Sequence, residues 1–149
     1  MRLAAALTAL YIPASLVGCG ADGPPELAPV TGVVSIDGEP AAGVKVRFLP
    51  RRQEGDKPLA TSEAITDELG RYELRYLDGD APPMGAAVGD HYVLLTDFTS
   101  SNTRDESVAP NRISPKYSSA GRSPLKATVA PQPDGSTEPQ NFDFEIDGF

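Results

Sequence analysis

From position 30 onward, apolar and polar residues alternate with a period of two. In Val44-Lys45-Val46-Arg47-Phe48 the apolar side chains fall on one face of an extended chain and the charges on the other. Tyr72-Glu73-Leu74-Arg75-Tyr76 and Phe142-Asp143-Phe144-Glu145-Ile146 repeat the pattern, and Leu125, Ala127 and Val129 alternate with Lys126 and Thr128. This period marks strands with one buried face and one wet face. Residues 30–36 and 91–96 are more uniformly apolar, which predicts better-covered strands. Residues 60–66 form a weaker seventh candidate, and no helical repeat is visible after the first nineteen residues.

Turn chemistry separates these runs. Asp37-Gly38, Pro40 and Gly43 punctuate the first connection, and residues 67–70 predict a tight turn before Tyr72. About seven short strands joined by turns predict an all-β fold of two packed antiparallel sheets. The 149 residues suffice for one domain, and 15 Pro with 14 Gly fit a chain of many turns. Burying a dozen or so apolar side chains, at about 1.5–3 kcal/mol each, is of the order needed to offset chain entropy. With one cysteine in the chain, no internal disulfide assists that core.

The first nineteen residues carry a different pattern. A single positive charge at Arg2 precedes a run, 3–17, that is almost wholly apolar or small. The run is shorter than the roughly 20 residues needed to cross a bilayer core, and it has the layout of a secretory signal. Its end, Leu16-Val17-Gly18-Cys19, resembles the lipobox of bacterial lipoproteins. The resemblance implies cleavage before Cys19, a thioether from Cys19 to diacylglycerol, and acylation of the new amino group. Residues 1–18 would then be a lipoprotein signal peptide. The other readings are an ordinary cleaved signal with a chance cysteine, or a buried N-terminal helix. Residues 19–29 follow as the lipidated cysteine and a Gly/Pro-rich tether, and 30–149 as the folded domain. No acidic residue stands directly after Gly20, so no Asp-type inner-membrane retention signal is seen, which favours an outer over an inner membrane.

Within 30–146 a second resemblance emerges. Val30-x-Gly32-x-Val34 is followed by Asp37-Gly38-x-Pro40-x-x-Gly43-Val44-x-Val46-x-Phe48, then by Thr66-Asp67-x-x-Gly70-x-Tyr72-x-Leu74. This order resembles the carboxypeptidase regulatory-like (transthyretin-like) domain. Ile113-Ser114-Pro115-Lys116-Tyr117, Ser123-Pro124-Leu125 and Asn141-Phe142-Asp143-Phe144 are similar to its version on short bacterial lipoproteins. The resemblance implies a seven-stranded antiparallel Greek-key β-sandwich of transthyretin-like (prealbumin-like) type, a fold that usually serves as an accessory or binding module. Fold alone assigns no function.

Charge and residue inventory then narrow the chemistry. A net charge of −8 disfavours nucleic-acid binding and polybasic attachment to anionic lipid, so membrane contact is expected through the lipid anchor alone. His91 is the only histidine, so any Ser-His-Asp triad must pass through it, and no Gly-x-Ser-x-Gly elbow occurs. Of the sandwich's catalytic relatives, intradiol dioxygenases need two His and two Tyr on iron, and hydroxyisourate hydrolases need several His and a terminal Tyr-Arg-Gly-Ser. This chain supplies neither set. The acidic turns at Asp67-Glu68 and Asp78-Gly79-Asp80 lack the calcium-loop spacing and read as solvated turn acids. No metal and no cofactor is expected.

The long polar stretch 99–122 is the remaining candidate, because loops of that length are usually functional or disordered. Within it Arg112, Lys116 and Tyr117 offer cations and one ring to the rim of a sugar or peptide pocket. The competing reading has Ile113 and Tyr117 pinning the loop to the sandwich while the charges face water. The sequence thus predicts a non-enzymatic, lipid-anchored cell-envelope protein, a binding or adhesion module for glycan or an envelope protein. The alternative is a structural lipoprotein component of a larger envelope assembly.

Overall fold

A computed structural model describes residues 24–51, 58–99, 110–133 and 136–148. The expected signal peptide 1–18, with its lipobox-like end Leu16, Val17 and Gly18, and Cys19 lie outside the described residues. The strands are β1 (Leu27–Ala28), β2 (Val30–Ile36), β3 (Glu39–Pro40), β4 (Val44–Pro50), β5 (Ser62–Ile65) and β6 (Arg71–Glu73). They continue as β7 (Arg75–Tyr76), β8 (Ala86–Ala87), β9 (Gly89–Asp97), β10 (Lys126–Val129), β11 (Gln140–Asn141) and β12 (Phe144–Ile146). A one-turn 3-10 helix, Pro115–Ser118, is the helical element among the described residues. The fold is all-β.

One five-stranded sheet has the order β10-β9-β4-β5-β7, antiparallel throughout. Its centre is the long β4–β9 pair, in register from Val44 opposite Asp97 to Pro50 opposite His91. The period of two sends Val44, Val46 and Phe48 inward with Val93 and Leu95, and all five are fully buried. The second sheet is built on β2. On one side β2 pairs antiparallel with β6 and β3, and on the other it pairs parallel with β11 and β12. The inner faces of the two sheets share one core, in which the Phe48 ring lies 5.7 Å from Phe142 and 6.2 Å from Phe144.

The seven runs read from alternation all fall on strands, with three departures. The run 72–76 is divided between the sheets: β6 pairs with β2, β7 pairs with β5, and the chain changes sheets at fully buried Leu74. Leu74 N–H donates to Val30 at 3.0 Å, and its carbonyl accepts from Gly85 at 2.7 Å. The last strand runs parallel to β2, not antiparallel, because it enters from the same end of the sheet. Local alternation carries no information about that choice. Finally, ordered pairing begins before residue 30, inside the span 19–29 expected as a lipidated cysteine and tether. Leu27–Ala28 forms a ladder with Ala86–Ala87, and Ala28 is fully buried. Ala28 and Ala86, opposite each other in this ladder, both join the core.

Candidate functional site

The end of the molecule where β2 turns into β3 carries a cleft lined by a fixed cation. Asp37 and Gly38 both have positive φ, 52° and 84°, the geometry of a two-residue type I′ hairpin. Asp is among the few residues besides Gly that visit that conformation, and its Oδ1 accepts the Gly148 N–H at 3.0 Å from across the fold. Asp37 N–H in turn donates to the Ile146 carbonyl at 3.0 Å, so the turn is fastened to the end of β12. Ile113 bridges Gly148 from the other side, which brings the 111–113 segment against the same end.

Arg112 is held there by a fork. Its Nε donates to Asp97 Oδ2 at 2.9 Å and its Nη2 to Asp97 Oδ1 at 3.0 Å. The Arg112 backbone N–H adds a third bond to Oδ2 at 3.0 Å, and Nη2 also reaches the Ala42 carbonyl at 2.8 Å. Thr99 Oγ1 donates to Asp97 Oδ1 at 2.6 Å. Asp97 is 1% exposed, whereas the Arg112 side chain keeps 39% of its surface. Burial alone would push the Asp97 carboxyl up, but the bonds from Arg112 and Thr99 and the guanidinium charge outweigh it and hold it well below the usual carboxylate range. The same bonds push the Arg112 guanidinium further up, against the opposing effect of its burial. The pair is a bidentate ion pair with one member fully desolvated, the geometry for which arginine is suited and lysine is not.

Arg112 lines an open cleft of about 430 Å³, together with Asp37, Glu39, Ala41 and Gly148. Nε and Nη2 are committed, while Nη1 has no partner among the described residues. One arginine and two acidic residues therefore line the same space. A ligand carrying both hydroxyl and acidic or amide groups would find partners for each.

The other two residues singled out in the loop are placed differently. Tyr117 is 5% exposed and packs inward from the 3-10 turn beside β9, its N–H bonded to the Ser114 carbonyl at 3.0 Å. Lys116 is exposed and lays its ammonium over the Tyr117 ring, 4.7 Å from the centroid. Of the three, Arg112 alone lines the cleft. Residues 100–109 of the same stretch lie outside the described residues.

His91 is 1% exposed. Its Nδ1 lies 3.0 Å from the Gly89 carbonyl, which makes Nδ1 the donor and leaves Nε2 as the buried acceptor. Nε2 has no hydrogen-bond partner among the described residues, and the ring packs 5.6 Å from that of Phe48. Among the turn acids, Asp67 Oδ1 accepts the N–H groups of Leu69 and Arg71, both at 2.9 Å, and so organises the turn itself. Among the described residues no three His, Cys, Asp or Glu converge on a common point.

Sequence reasoning missed Asp97 and the closure of Asp37 onto Gly148. The first left a signal. In the alternation Val93, Leu95, Asp97 the acid falls on the inward phase, and an acid facing a core needs a buried partner. Comparison with family models, with curated proteins and with solved structures finds no match to this chain.

Proposed function

We propose that this chain is a non-enzymatic lipoprotein, anchored through Cys19, whose β-domain binds a glycan or another envelope protein at the cleft beside Arg112. The anchor rests on Leu16-Val17-Gly18-Cys19 and the apolar run before it. The binding role rests on one observation: Asp97 fixes the Arg112 guanidinium through Nε and Nη2, and Arg112 lines a cleft shared with Asp37 and Glu39. A cation already ordered by a buried partner loses little further side-chain entropy when a ligand arrives. The seven-stranded Greek-key, carboxypeptidase regulatory-like assignment belongs to the same reading. It draws support from two sheets around one core and from the sheet change at Leu74.

Two measurements test it. Intact mass and membrane partition of the full chain, beside Cys19→Ser, should give a start at Cys19 with an acyl increment, both lost in the variant. A soluble, unacylated product from both would remove the anchor. Separately, titration with neutral and carboxylate-bearing oligosaccharides should shift the amide resonances of residues 36–41, 112 and 148. Arg112→Ala should abolish those shifts. Silence at those residues with both probes would exclude glycan as the ligand of this cleft.

A further inference from the structure

The two outer faces of the molecule carry opposite charge. On the outside of the five-stranded sheet, the phase of alternation opposite to the core places Lys45, Arg47, Arg51, Arg75 and Lys126. Only Glu63 and Asp90 stand against them on those strands, paired with Arg47 at 3.1 Å and Arg51 at 3.7 Å. This excess of positive charge occurs in a chain whose net charge is −8. The outside of the β2 sheet is the reverse. There Glu73, Asp143 and Glu145 face solvent with Arg71 as the one cation of those strands, and Asp147 continues the phase just beyond β12.

Both faces also expose apolar surface where another face can cover it. Across the cationic sheet, Leu49, Leu77 and Leu94 line a shallow groove of about 350 Å³ beside Arg47 and Glu63, and Leu77 is 43% exposed. On the acidic side, Val33 lies half-buried between Arg71 and Asp143, and Leu69 on the 67–70 turn is 56% exposed. The groove is aliphatic. Its nearest ring, Tyr92, is capped by the Arg51 guanidinium at 5.2 Å from the centroid, which leaves no bare aromatic platform for a sugar.

From this placement we infer that the domain self-associates head to tail, the cationic outer face of one copy lying on the acidic outer face of the next. The occupant is a second copy because the complementary surface is present in the chain itself, on the opposite side of the same core. Two different patches meet, so the contact is heterologous and open-ended and does not close as a two-fold dimer. The net charge of −8 opposes approach at long range, so association depends on orientation and is steered by the local fields of the two faces. The inference needs neither the lipid anchor nor a ligand in the Arg112 cleft.

The test is sedimentation velocity of the full chain in non-ionic detergent, over a concentration series at two ionic strengths. At about 0.02 M salt the average mass should rise with concentration to at least twice the monomer, and at about 0.5 M it should return to monomer. Two surface variants separate the faces, Arg75→Glu with Lys126→Glu and Glu73→Lys with Glu145→Lys, each first shown by thermal melting to be folded. Each alone should stay monomeric, and an equimolar mixture should associate, because every remaining face then meets its opposite. A monomeric parent at low salt would overturn the inference. So would association that salt leaves unchanged or strengthens, as contact through the apolar leader would be, or a mixture that stays monomeric.

Discussion

The hydroxyl of Tyr72 reaches across Gly32 and donates to the backbone carbonyl of Phe142 at 2.6 Å. Gly32 stands directly opposite Tyr72 in the β2–β6 ladder, and Phe142 belongs to the strand run on the other side of β2. The bond is possible because the parallel ladder is rewired at this level. Val33 N–H donates to the Asp143 carboxylate at 2.8 Å, which frees the Phe142 carbonyl for the phenol. A Cβ at position 32 would run into that carbonyl and crowd the phenol oxygen. Gly32, Tyr72 and Asp143 thus act together to tie three strands, and the Tyr72 ring lies stacked near Phe144, 6.5 Å between centroids.

Tyr72→Phe should therefore cost about 1–3 kcal/mol, the penalty for a partly buried carbonyl left without its partner. Gly32→Ala should cost more, because the carbonyl must move. The double variant should lose less than the sum, since both changes break one bond. Urea unfolding of the three proteins measures this. Burial, and then the Asp143 charge, hold the phenol far above its ordinary value. Tyrosinate absorbance from this residue should consequently appear only as the protein unfolds in alkali. A Tyr72→Phe variant as stable as the parent would mean that the Phe142 carbonyl is satisfied in another way.

The fork between Asp97 and Arg112 predicts an acid-sensitive contact. The Asp97 carboxyl is held well below the usual range in the fold and returns to about 3.9 in the unfolded chain. Its stabilising contribution is complete above that unfolded value and is lost as pH falls through the folded one. Because Arg112 is partly exposed, solvent screens the pair, and Asp97→Asn should cost about 2 kcal/mol at neutral pH, less than a fully buried pair would. The variant should also lose part of the acid limb of the stability curve below about pH 4. Denaturant unfolding at pH 7 and pH 3 checks both. A variant whose deficit is the same at the two pH values would remove the charge from the explanation.

Arg112→Lys makes a separate point about geometry. A lysine retains the charge but cannot bond both Asp97 oxygens and the Ala42 carbonyl as the fork does. It should recover less than half of what Arg112→Ala loses in thermal melting. Full recovery would show that charge alone holds the 111–113 segment.

These positions also mark how far the sequence was legible. Alternation located every main strand, because a half-buried strand writes its two faces directly into the chain, as Val44, Val46 and Phe48 against Lys45 and Arg47 do. Alternation is silent about partners. It could not say that residues 72–76 serve both sheets, nor that β12 runs parallel to β2, since both facts depend on where the chain returns. Leu27–Ala28 was hidden for another reason: two residues set among prolines carry no period, and Ala28 is buried by a pairing with Ala86–Ala87 that local sequence does not announce. At the candidate site Arg112 was visible as a cation in a long loop. Its orientation was not, because Asp97 lies fifteen positions away and was masked by the apolar run that contains it.

His91 supplies the last prediction. Burial lowers its pKa below the ordinary imidazole value, outweighing the opposite pull of the Gly89 carbonyl and the Asp90 charge. The unfolded chain takes up this proton from about pH 6.5 downward, while the fold keeps the ring neutral. Below that pH the unfolded state binds more protons than the native one, so stability declines as pH falls from about 6.5 toward the folded value and then levels off. His91→Leu removes the titration and also the bond to the Gly89 carbonyl, so it should be less stable than the parent at pH 7.5 by about 1 kcal/mol. Between pH 7.5 and pH 5.5, above the range where carboxylates titrate, the variant's stability should change less than the parent's. Equal declines in the two proteins over that interval would show that the buried Nε2 accepts a proton without strain, and that some other group sets the neutral-to-acid slope.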